Sequence, residues 1–151
     1  MTDKVWNKVQ FWIGITIIAL LVGVLGVLII DAIPKKLSYK DLVSEANYGQ
    51  NPVKIYIYAH YCPDRYYELE ITDAEEIEYL MSKIRNITYE ETGSAWGGGT
   101  TSWELTFASG EVVKAGFRFW HGEDYFASVS SPESEALSEF FSQRMVLVER
   151  E

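Results

Sequence analysis

The strongest constraint on this chain is Phe11–Ile30, twenty consecutive residues without a charged side chain and with Thr16 as the only clearly polar one. A helix of that length rises about 30 Å, which matches the hydrocarbon core of a bilayer. Lipid offers no partners to backbone N–H and C=O groups, and a helix pairs them internally. Trp6, Phe11 and Trp12 stand at one end, where amphipathic rings suit the headgroup level. Asp31, Pro34, Lys35 and Lys36 close the other. Cleaved signal segments carry shorter apolar stretches, about 7–15 residues, and a cut after Ala32 would follow Asp31 and Ile30 rather than small residues. The expectation is an uncleaved transmembrane helix over 11–30, with the lipid bilayer as its partner. A short basic tail (1–10) precedes it, and a juxtamembrane stalk with a short helix (31–51) leads to a soluble acidic domain (52–151).

The flanks do not fix the orientation. Lys4 and Lys8 oppose Asp3 on one side, and Lys35, Lys36 and Lys40 oppose Asp31 and Asp41 on the other. That count leans slightly towards a cytoplasmic C-terminus. The later part of the chain is rich in Tyr, Trp, Gly, Ser and Thr and poor in Lys, and a short basic tail ahead of a long apolar run is the usual signal-anchor order. Composition therefore favours a single-pass protein of the cell membrane with an extracytoplasmic C-terminal domain.

Residues 41–151 hold 8 basic against 20 acidic side chains, a net of −12. Such a domain repels nucleic acid and anionic headgroups. Cys62 is the only cysteine, so no internal disulfide staples the fold.

The domain reads as mixed helix and strand. Ser38-Tyr-Lys-Asp41 is a capping-box variant that opens a short helix, with Gly49 as a stop. Val53–Ala59 alternates with period two, Val53, Ile55, Ile57 and Ala59 on the core face and Lys54, Tyr56 and Tyr58 on the other; Tyr66–Ile71 alternates again, so the two form a hairpin. Thr72 with Glu75 is a capping box for a helix whose stripe is Ile77, Leu80, Met81 and Ile84. Strands follow at Ile87–Thr92, Ser102–Ala108, Glu111–Trp120 and Tyr125–Val129, with turns at Ser109-Gly110 and His121–Asp124. Ser131-Pro132 opens a last helix that buries Leu137, Phe140, Phe141 and Met145. This order predicts an α+β fold: a transmembrane helix, then one small antiparallel sheet with helices packed on one face.

The helix pattern Ile71-Thr-Asp-Ala-Glu-Glu-Ile-Glu-Tyr-Leu-Met, followed by Trp103-Glu-Leu-Thr-Phe-Ala-Ser-Gly-Glu and a paired strand, loosely resembles uncharacterised membrane-anchored extracytoplasmic modules of Gram-positive bacteria. The resemblance covers residues 66–129. It implies a bacterial, surface-exposed setting and transfers no activity or site.

Few residues carry chemistry. His60, Cys62 and Asp64 alternate, and with His121 they would offer N and S donors to a borderline metal ion; Cys62 and His121 are also the one thiol–imidazole combination. Pro63 and the loop setting count against both, so the default is a structural loop, with no metal and no cofactor. The carboxylate pairs Glu68/Glu70, Glu90/Glu91 and Glu123/Asp124 are expected on a surface this acidic and read as solvated faces. Trp96 beside Gly97-Gly98-Gly99 lacks the Lys-Ser/Thr of a phosphate loop. It reads as a contact loop, and Tyr56, Tyr58 and Trp120 extend the aromatic surface, since Tyr and Trp favour interfaces. The expected function is that of a non-enzymatic, membrane-anchored binding or accessory module with a protein partner and no nucleic acid. A subunit of a larger membrane complex is the alternative. A metal- or thiol-dependent enzyme using His60, Cys62 and His121 is the third reading.

Overall fold

The computed structural model describes residues 2–31, 33–62, 65–93 and 100–149, with side chains for 11–26, 33–60, 66–93 and 100–148. The chain divides into two compact units, Met1–Pro34 and Lys35–Glu151.

The first unit is one helix, α1 (Thr2–Asp31). Its apolar side chains point outwards on every side: Phe11, Trp12, Ile18, Leu20 and Val22 are all more than 60% exposed. Thr16 returns its hydroxyl to the Trp12 carbonyl at 2.9 Å, which leaves no free polar group on that stretch. The expected spanning segment is nonetheless corrected. Among the described residues no helix is long and apolar enough to cross a membrane.

The second unit is α+β, as expected, but it holds two antiparallel sheets rather than one. Its elements are β1 (Lys36–Ser38), α2 (Tyr39–Leu42), β2 (Lys54–Cys62), β3 (Arg65–Ile71), α3 (Ala74–Ile84), β4 (Thr88–Glu91), β5 (Thr100–Thr106), β6 (Val112–Gly116), β7 (Arg118–His121), β8 (Asp124–Ser128), α4 (Pro132–Arg144) and β9 (Val146–Glu149). One sheet has the order β6-β5-β2-β3-β9, the other β1-β4-β8-β7.

The single long strand expected over Glu111–Trp120 breaks at Phe117, and this break makes the second sheet. The Phe117 N–H donates to the Thr101 carbonyl of β5 at 3.0 Å, while its carbonyl accepts from the Ser128 N–H of β8 at 2.8 Å. The chain thus leaves one sheet and enters the other at that residue. Period-two alternation continues through such a step, so the pattern cannot announce it. Just before it, Gly116 is a close approach: a Cβ there would lie 2.7 Å from the Thr101 carbonyl oxygen and 2.9 Å from the Ser102 Cα.

The core lies on the inner faces. Ile55, Ile57 and Ala59 of β2 and Trp103 and Leu105 of β5 are fully buried, joined by Ile77, Leu80, Met81 and Ile84 of α3 and by Leu137 and Phe141 of α4. Phe117 packs edge-on to Trp103 at 5.3 Å, and Phe141 lies 5.8 Å from the same indole. In the smaller sheet, Tyr89 meets Phe119 edge-on at 4.9 Å.

The caps follow the sequence closely. Ser131 and Ser134 cap α4 reciprocally, and Pro132 takes the first helical position. The α3 cap falls one residue later than expected: Asp73, not Thr72, accepts from the Glu75 and Glu76 N–H groups, each at 3.0 Å. At α2 the Ser38 N–H donates to Asp41 at 2.8 Å. Residues 39–47 contribute Tyr39, Val43 and Asn47 to the buried interior of the second unit. Glu111 holds this segment to the β5–β6 turn, accepting from the Ser44 N–H at 2.9 Å and from the Asn47 amide. These bonds keep its carboxyl below the usual range, the Ser44 hydroxyl contributing most.

Candidate functional site

The outer face of β2 carries an aromatic row. Tyr56 and Tyr58 lie 5.9 Å apart, Tyr58 and His60 5.8 Å, and His60 stacks on Tyr66 of β3 at 5.8 Å. These side chains stand at alternate positions, so β-pleating puts them on the face opposite Ile55, Ile57 and Ala59. The Tyr56 hydroxyl donates to Glu68 across the β2–β3 pair at 2.7 Å. That bond, more than any burial, raises its phenol to about 12. Tyr56 and Tyr58 stand on β2, the central strand of its sheet. Trp120 does sit on an edge strand, β7.

Tyr58 of this row also lines a trough of about 430 Å³ where the two sheets meet. Tyr58, Ser102 and Lys114 face it from the larger sheet, and Arg118, Trp120 and Tyr125 from the smaller one. The step at Phe117 creates this geometry, because it sets β7 at an angle to β6 within one continuous segment. Trp120 is 63% exposed and rests on Tyr125, whose ring lies 5.1 Å away and is itself buried. Lys114 is held by Glu104 at 2.8 Å, and that bond raises its ammonium pKa. Among the described residues that line the trough there is no carboxylate, although acids outnumber bases 22 to 13 in the chain.

The sequence-derived residues are thus partly gathered. Tyr58 and Trp120 share the trough, and Tyr56 adjoins it through the Tyr58 ring. Trp96 and the Cys62 side chain lie outside the described residues. His60 belongs to the aromatic row, whereas His121, beyond Trp120 at the β7–β8 turn, meets Phe126 edge-on at 6.4 Å. Among the described residues no group of three His, Cys, Asp or Glu side chains could hold a metal ion. The carboxylates noted in sequence are engaged between strands: Glu70 with Lys54 at 3.4 Å, Glu90 with Lys36 at 2.8 Å and Asp124 with Lys35 at 2.6 Å. Sequence reasoning missed Lys114, Arg118 and Ser102. The alternation of β5 and β6 already turned Ser102 and Lys114 outwards, but nothing in it showed that β7 would fold towards them.

No family model, no curated protein and no solved structure matches this chain.

Proposed function

We propose that the protein is a non-enzymatic binding module that works at a membrane, displays its acidic unit outside the cell and uses the trough as its contact site. One observation carries the reading: an exposed indole on a fixed aromatic support lies at the rim of a trough between the two sheets, beside Arg118 and the Glu104-bound Lys114. An exposed tryptophan held in one place is the usual anchor of an interface. The volume falls within the range of ligand-binding clefts, about 300–1,000 Å³. The membrane setting is supported by α1, whose outward apolar side chains require an apolar environment. The same surface favours a second reading, in which the protein is a subunit of a larger membrane complex and α1 packs against other helices. A stoichiometric integral-membrane partner after detergent solubilisation would select that second reading.

Photocrosslinking tests the site. A photoreactive residue at Trp120 is expected to give a discrete adduct in intact cells. The same residue at Tyr79 on α3, 44% exposed and outside the trough, is expected to give none. Equal yields at both positions, or none at Trp120, would remove the trough from the account. The outward orientation is tested with Val112→Cys in a Cys62→Ser background. Val112 is exposed, so an impermeant thiol reagent labels it on intact cells only if the unit faces out.

A further inference from the structure

We propose that β9 joins two copies of this chain edge to edge, an inference independent of the trough. The two sheets end in four edge strands: β1, β7, β6 and β9. Edge strands are kept from pairing with other chains by charged side chains, above all Lys, and by bends. β1 carries Lys36, β6 carries Lys114, and β7 carries Arg118 next to the step at Phe117. β9 has no basic residue and reads Val146-Leu-Val-Glu149. Val146 is 64% exposed and Leu147 39%. Among the described residues no strand pairs with β9 on the side away from β3. Main-chain bonds alternate along antiparallel strands, and those from Phe107 to Glu111 and from Phe117 to Thr101 set the phase at β5–β6. Carried through the registers of β5, β2 and β3, that phase turns the main-chain groups of Val146 and Val148 towards β3 and those of Leu147 outwards. The strand itself specifies its occupant. Val-Leu-Val reads the same in both directions, so an antiparallel second copy centred on Leu147 sets Leu147 opposite Leu147 and Val146 opposite Val148. Each aliphatic side chain of the edge then meets another, and the two Leu147 residues exchange main-chain bonds. β6 and the trough lie at the opposite end of the sheet, so this pairing leaves the trough open.

The test uses the full chain in detergent micelles. The Cα atoms of a main-chain-bonded antiparallel pair stand about 5.5 Å apart, within disulfide reach. In a Cys62→Ser background, Leu147→Cys is therefore expected to form a disulfide-linked dimer at least about tenfold faster than Val112→Cys, which is exposed on the β6 edge. Sedimentation equilibrium in density-matched detergent is expected to show dimers on concentration and monomers on dilution. Val146→Lys is expected to raise the dissociation constant at least about tenfold, with an unchanged thermal melt in dilute protein because that side chain is exposed. Val146→Ile is expected to retain the dimer. Added salt is expected to tighten it, because a net charge of −12 on residues 41–151 makes two copies repel. The proposal is overturned if the chain stays monomeric at every concentration, if salt dissociates the dimer, or if Val146→Lys dimerises as wild type does. Equal linking rates for Leu147→Cys and Val112→Cys would overturn it as well. The photocrosslink at Trp120 is expected to persist in Val146→Lys, and its loss there would overturn the independence of the two sites.

Discussion

On one face of β2, Ile55, Ile57 and Ala59 are completely buried; on the other, Tyr56 and Tyr58 are half-buried and His60 is exposed. Both rows belong to the same strand, with the same neighbours β3 and β5. The inner row is held by close packing, where a lost methylene is felt. The outer row is held by pairwise contacts: a ring on a ring, a phenol on a carboxylate, Lys114 on Glu104. One face therefore specifies the fold, while the other can change its chemistry at little cost in stability.

The comparison is broken most severely at Trp103, the largest side chain in the fully buried centre. Trp103→Ala is expected to cost about 3–5 kcal/mol, read from denaturant midpoints at constant m. Gly116→Ala comes next, since its Cβ would press on the backbone of Thr101 and Ser102 rather than on a movable side-chain end. A loss of about 1–3 kcal/mol is expected, with disturbance of the trough visible in the Trp120 resonance.

A matched pair of substitutions sharpens the contrast. Tyr56→Phe removes the bond to Glu68 and is expected to cost about 0.5–1 kcal/mol after allowance for solvent screening. Tyr89→Phe removes a buried hydroxyl that has no hydrogen-bond partner among the described residues, so it is expected to be neutral or stabilising by up to about 1 kcal/mol. The same atom is deleted, with opposite sign. Tyr56 also sets a pH dependence. Its phenol is raised in the folded state to about 12 from the ordinary value of 10.0. Its stabilisation is therefore complete below the unfolded value and is lost as pH rises through the folded one. Chemical denaturation of wild type and Tyr56→Phe should converge across that alkaline window. Smallest of all, Trp120→Ala is expected to leave stability within about 0.5 kcal/mol, as at an exposed site, while abolishing binding at the trough.

Much of the inner face was legible in sequence because burial imposes a period. Ile55-x-Ile57-x-Ala59 and the Ile77, Leu80, Met81, Ile84 stripe follow directly from pleat and helix geometry, whereas Val53, expected on the same inner face, precedes β2 and is exposed. The caps at Ser38 and Ser131 and the turns at Gly110 and Gly122 were legible for local reasons; both glycines adopt positive φ, 86° and 64°. Strand partners were not legible. β1 is three residues long and pairs with β4 some fifty residues later, and β9 follows α4 to become an edge of the larger sheet. No local pattern encodes such choices. The site shared that limit. Tyr58 and Trp120 could be singled out as aromatic, but their meeting depends on the step at Phe117, which alternation passes over in silence. The spanning helix was inferred from twenty apolar residues, and among the described residues no helix is long and apolar enough to cross a membrane.

The central claim is that the trough, and not the surface at large, is where this protein meets its partner. Radical footprinting of Trp120 in intact cells and in the purified protein tests it most directly, with Tyr79 as the internal reference; both side chains are exposed, at 63% and 44%. The account expects Trp120 to be oxidised several-fold more slowly in cells, with Tyr79 unchanged. Equal rates for Trp120 in the two settings, or equal slowing of both residues, would contradict it.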